Sequence, residues 1–213
     1  MPVKKLKRLT VLLLVLALAL SLTACGSDQK KMVGVWETEV EFADIFNNTL
    51  GNAENAEYLK VESLKLKVIL TINDDDTYSM AADPASVDAA MASLKESLKA
   101  GMEEYLVDTI AATGLNLAIG DIMDMLATDM DTLIGQVLPP ELMAEITGSM
   151  TAQGRYLAED GKLYLTDSVD KEIDETVYET YILEEEKLIL VTPNEIDAYT
   201  DLLYPLEFTR AAE

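Results

Sequence analysis

Histidine is absent from the 213 residues, and Cys25 is the only cysteine. Without histidine there is no Ser-His-Asp or Cys-His catalysis, no His-ligated zinc and no imidazole pH switch. A lone cysteine has no intramolecular partner, so disulfides and thiolate cages are excluded as well. The spacings GxxxxGK[ST], GxGxxG and GxSxG do not occur either, which removes the usual phosphate cradles and the nucleophile elbow. Carboxylate chemistry is the one route to an enzyme left open, and no carboxylate pair stands out for it. The expectation is a non-enzymatic protein with no cofactor and no metal site.

Positive charge is scarce too: 16 Lys and Arg stand against 39 Asp and Glu, for a net charge of −23. Lys4, Lys5, Lys7 and Arg8 lie in the first eight residues. Removing residues 1–24, which hold those four basic residues and no acidic ones, takes the net charge to −27. Such a surface repels phosphate backbones, whose capture needs clustered Lys and Arg, so nucleic acid is excluded as a partner.

A run long enough to span a bilayer is also missing. The apolar stretch 9–20 has 12 residues, against the roughly 20 that a transmembrane helix needs. A basic head, a short apolar segment and then small residues is instead the order of a secretory signal peptide. The run Leu22-Thr23-Ala24-Cys25 resembles the lipobox of bacterial prolipoproteins. That resemblance implies cleavage after Ala24, a diacylglyceryl thioether on Cys25, and a protein held by its lipid on the extracytoplasmic face of the cell membrane. A diacyl anchor supplies the two chains that stable attachment requires. Residues 25–31 then read as the lipidated cysteine and a short polar tether, roughly 20 Å when extended at about 3.3 Å per residue. Residues 32–213 are enough for one domain with a proper core.

Three segments follow one another by period. Trp36, Thr38, Val40 and Phe42 alternate with Glu37, Glu39 and Glu41, the two-residue pattern of a strand. Residues 44–57 are polar and read as a loop or short helix. Residues 64–72 alternate again, and Asn73-Asp74-Asp75-Asp76 supplies turn chemistry before Thr77 to close a hairpin. From residue 83 the period changes: Asp83-Pro84 is an N-cap with a first-turn proline. Val87, Met91, Leu94, Leu98, Met102 and Tyr105 then make an amphipathic stripe, and Ile122, Leu126, Met130, Leu133 and Val137 a second. A third, short helix is expected over 141–147. After residue 150 strands return, with hairpin turns at Glu159-Asp160-Gly161 and Glu184-Glu185-Glu186, a long strand over 176–183 and a last strand over 206–210. The total is about eight strands around a helical insertion over 83–150.

Gly34-Val35-Trp36 at the start and Leu206-Glu207-Phe208-Thr209-Arg210 at the end, with a Thr77-Tyr78 hairpin between them, resemble a lipocalin-like domain. The resemblance implies an α+β fold, an antiparallel β-barrel or half-barrel. In it Trp36 would close one end as a plug and Arg210 would lie across the indole. The long insertion between strands departs from that family, and a strongly bent sheet packed on the helices fits the same pattern.

Seven methionines (Met91, Met102, Met123, Met125, Met130, Met143, Met150) fall in the insertion. They are suited either to core packing or to an adaptable apolar groove. Asp74 to Asp76 lack the alternation, central Gly and terminal Glu of a calcium loop and read as a solvated turn. Six tyrosines (156, 164, 178, 181, 199 and 204) gather near the C-terminal strands. The leading functional expectation is binding of an apolar or amphiphilic small molecule, lipid or peptide, in a cavity between sheet and insertion, with the Met-rich helices as wall or lid. The alternative is a cell-envelope interaction protein whose core is filled by its own side chains. No ligand-binding residue is identifiable, and oligomeric state is unknown.

Overall fold

The period-two segments form strands, and the strands close on themselves. The computed structural model describes residues 27–50, 55–138, 144, 146–148, 150–194 and 203–212. In it β1 (Gly34–Glu41), β2 (Lys65–Ile72), β3 (Thr77–Ala82), β4 (Ala152–Glu159), β5 (Lys162–Leu165), β6 (Glu179–Leu183), β7 (Lys187–Pro193) and β8 (Leu206–Arg210) follow in order. Each pairs antiparallel with the next, and β8 returns to β1 through Trp36↔Arg210 and Glu37↔Thr209. The open choice between barrel and half-barrel is thus resolved as a closed eight-stranded barrel, which leaves no unpaired edge. With its helical insertion the fold is α+β and lipocalin-like in architecture.

Alternation decides what faces inward. On β2, Leu66, Val68, Leu70 and Ile72 are buried, while Lys65 and Lys67 point outward. Lys67 reaches Glu37 at 2.7 Å and Lys65 reaches Glu39 at 3.9 Å; both are diagonal pairs across the β1–β2 ladder. Such exposed pairs add little stability but keep the outer face soluble.

Connections alternate in length. The turns 73–76, 160–161 and 184–186 are tight and lie at the end of the barrel where β1 begins and β8 finishes. At the opposite end lie the long connections, the helical insertion among them. In the first tight turn, Asp75 Oδ1 accepts from Thr77 N at 3.2 Å and from Thr77 Oγ1 at 2.6 Å, so its carboxylate serves the turn.

The helices attach to this frame at defined points. α1 (Ser27–Met32) precedes β1 and α2 (Ala43–Leu50) follows it; α3 (Pro84–Ala111), α4 (Ile119–Leu126) and α5 (Met130–Val137) form the insertion. Asp83 caps α3 by accepting from Ser86 N at 2.9 Å, and the same turn is sewn to β2 by Asp83 N to Lys67 O and Lys67 N to Ser86 Oγ, at 2.7 and 3.0 Å. Leu94, Leu98 and Met102 bury the α3 stripe. Gly101 sits where a Cβ would collide with the Tyr58 carbonyl, so glycine lets the helix press on that segment.

Three expectations need correction. Residues 27–31 are helical rather than an extended tether, because Met32 is fully buried. The second stripe is two helices, since Ala127 turns left-handed at φ 49° and Asp129 caps a new start by accepting from Thr132 N at 2.7 Å. The strand expected over 176–183 begins only at Glu179, because Asp174 Oδ1 holds Thr176 N and Oγ1 in a turn. The helix expected over 141–147 falls largely outside the described residues, although 144 and 146–148 are helical.

Candidate functional site: a cavity inside the barrel

One end of the barrel is shut. Trp36 is completely buried and donates from Nε1 to Met32 O at 2.7 Å. The Arg210 guanidinium lies over the indole, 4.1 Å from the ring centre, and donates to Val33 O at 2.9 Å and Lys31 O at 2.7 Å. This is cation–π stacking combined with the two-pronged donation that only arginine offers. Gly34, at φ 144°, leaves the space that the guanidinium occupies. The structure therefore brings Trp36 and Arg210 together, and Gly34 accounts for the first position of Gly-x-Trp.

α1 completes the closure. Gln29 Nε2 donates to Asp76 Oδ1 at 2.6 Å, and the Tyr156 hydroxyl contacts Gln29 O and Asn73 O at 3.4 and 3.2 Å. The Tyr181 hydroxyl donates to Asp28 Oδ2 at 3.3 Å. Burial, aided by the turn aspartates, pushes the Tyr156 hydroxyl up to about 12; burial beside Asp28 does the same for Tyr181. Both stay neutral donors.

Above this floor the barrel is not filled. A cavity of about 200 Å³ runs from Ile72 and Tyr156 toward Leu165, Glu179, Tyr204 and Leu206 at the other end, walled by Leu70, Tyr78, Met80, Leu163 and Leu190. The wall is apolar apart from three tyrosines and one carboxylate. None of the insertion's described methionines lines it. Met102, Met130 and Met150 are packed in the core, and Met125 is exposed. The expectation that Met-rich helices wall the cavity is therefore corrected: strand residues and Tyr204 line it, while the insertion's buried methionines pack into the core beside it. Met143 lies outside the described residues, as do Cys25 and Tyr199.

Glu179 is the unusual member. It heads β6 in phase with inward-facing Tyr181, and its neighbour across the ladder is Leu163. Tyr204 donates a hydrogen bond to it, but Oε2 is sealed from solvent and has no partner among the described residues. Burial raises the carboxyl above its ordinary value, an effect the Tyr204 bond offsets in part. Burial and the adjacent Glu179 push Tyr204 upward, and burial takes Tyr78 to about 12. Sequence reasoning missed Glu179. The available signal was a carboxylate two residues from a core tyrosine, on the register that should be apolar.

The remaining tyrosines do not join the site: Tyr164 and Tyr178 meet edge-on at 6.0 Å, with the Lys162 ammonium 4.3 Å above the Tyr178 ring. No helix among the described residues is long and apolar enough to cross a membrane. Compared with family models, curated proteins and solved structures, the chain matches none.

Proposed function

We propose that this protein is a lipid-anchored, extracytoplasmic binding protein that holds a small apolar or amphiphilic molecule inside its barrel without chemical conversion. The observation that carries the reading is the apolar cavity lined at one end by a carboxylate whose Oε2 is buried with no partner among the described residues. Apolar walls with a few convergent polar groups are the usual form of small-molecule sites. A volume of about 200 Å³ is below the roughly 300–1,000 Å³ of drug-sized sites, so the ligand is small or enters with one end only. The cavity also favours this reading over a filled-core envelope protein.

The anchoring half rests on the lipobox at Cys25. Ser27 begins α1 two residues later, and α1 is fastened to the shut end of the barrel. Two residues reach only about 7 Å. The tryptophan-plugged end would thus face the bilayer, and the cavity's Glu179 end would face away from it. Two measurements test the proposal. Membrane-fraction recovery of the full chain in a bacterial host should be lost for Cys25→Ser. Native mass spectrometry of the protein released from those membranes should show a small adduct that denaturing conditions remove. A Cys25→Ser chain that remains as membrane-bound as wild type would sink the anchor. A protein that carries no adduct, even after incubation with envelope extract, would sink the binding role.

A further inference from the structure

The cavity's polar atoms differ in what they can still offer. The Tyr78 hydroxyl hydrogen is committed to Thr166 O at 2.9 Å, that of Tyr156 to the floor carbonyls, and that of Tyr204 to Glu179. A tyrosine whose hydrogen is committed can only accept further bonds, and an ionised carboxylate only accepts. The side chains lining the cavity therefore hold no spare donor, whereas they hold several spare acceptors, among them the Glu179 carboxylate, whose Oε2 has no hydrogen-bond partner among the described residues. No Lys or Arg among the described residues acts on that carboxylate. The charge of the whole molecule points the same way, since a strongly acidic surface raises the local concentration of cations and lowers that of anions.

We propose that the cavity selects a short-chain amphiphile with a cationic amine head, the ammonium donating to the Glu179 carboxylate and the Tyr204 and Tyr78 oxygens while its alkyl body lies among Leu70, Leu163 and Leu190. This rests on the reading of the cavity as a binding site and names the ligand class within it. An ammonium has three donors and no acceptor, the complement of the wall described above. Enclosed ammonium–carboxylate bonds are shorter and stronger than neutral ones. A carboxylate ligand would meet only acceptors, and a plain alcohol would satisfy one of them.

The test is calorimetric titration of the full chain in detergent with three matched probes: pentylammonium, pentan-1-ol and pentanoate, each with a protein-free detergent blank. The expected order is pentylammonium tightest, by about tenfold or more over the alcohol, with pentanoate weakest. In Glu179→Gln, which changes net charge by one and keeps the side-chain shape, the ammonium advantage should fall to about the level of the alcohol while alcohol binding persists. Equal binding of ammonium and alcohol, or tightest binding of pentanoate, overturns the amine selectivity and leaves the cavity reading standing. Failure of all three probes overturns the cavity reading itself. The wild-type series decides these outcomes even if the variant does not fold.

Discussion

The two ends of this barrel are built by opposite means. At the plugged end the connections are tight turns, and the buried polar groups of Trp36, Tyr156, Tyr181 and Arg210 all have hydrogen-bond partners on or beside α1. At the other end the connections are long, a void lies beneath them, and Glu179 holds a buried oxygen with no partner among the described residues. Full polar satisfaction fixes one conformation, while an unsatisfied buried oxygen is a standing cost that folding alone does not explain. On the function proposed above, the end with the unsatisfied carboxylate is where the ligand would be held.

The largest effect should come from dismantling the satisfied end. Trp36→Ala removes a fully buried indole and should destabilise the protein by about 3–5 kcal/mol, read from the urea midpoint. Arg210→Lys follows. A single ammonium cannot bond Val33 O and Lys31 O while stacking on the indole, so the loss should be about 1–3 kcal/mol. If Trp36 and Arg210 act as one unit, the two changes together should cost less than their sum. Strict additivity would show that the plug is two unrelated contacts.

At the unsatisfied end the sign should reverse. The Glu179 carboxyl titrates above its ordinary 4.5 because of burial. Between that value and the raised one, the folded state keeps a proton that the unfolded chain has released. Stability therefore falls as pH rises from about 4.5 through the folded value, and the deficit is constant above it. Glu179→Gln carries no such deficit. At pH 7 it should be more stable than wild type by about 1 kcal/mol, and the gap should narrow toward zero as pH falls below about 4, where the carboxyl becomes protonated in both states. A variant less stable than wild type at pH 7 would mean that the carboxylate is paired after all.

How much of this could be read in advance differs between the ends in the same way. The plug was legible because Gly-x-Trp and Phe-x-Arg sit at the chain positions that closure brings together, and strand alternation put Trp36 inside. The long strand β2 and the capped start of α3 were legible because each has a strict period and a strong local signal at its boundary. The cavity was not. Whether residues of seven strands leave a void depends on side-chain volumes around a closed ring, which no single segment records. The α1 cap was missed because 27–31 is too short and polar to show a period; its helix is held by the floor of the barrel rather than by its own sequence.

The smallest expected effect separates backbone from charge in that cap. The Arg210 guanidinium bonds the carbonyl oxygen of Lys31, not its side chain. The Lys31 ammonium points to Asp28 at 3.4 Å, with both side chains substantially exposed, and such i,i+3 pairs at the surface contribute a few tenths of a kcal/mol. Replacing both Lys30 and Lys31 with Ala leaves every backbone carbonyl of the cap in place. Alanine is also a better helix former than lysine. The urea midpoint should therefore correspond to a change within about 0.5 kcal/mol, against the larger loss expected when Arg210 is changed. A loss as large as that of Arg210→Lys would mean that the lysine charges, facing the carboxylates of the tight turns, hold α1 in place. The shut end would then owe its order to long-range charge, and raising the salt concentration should loosen it; a cap held by its hydrogen bonds should be nearly indifferent to salt.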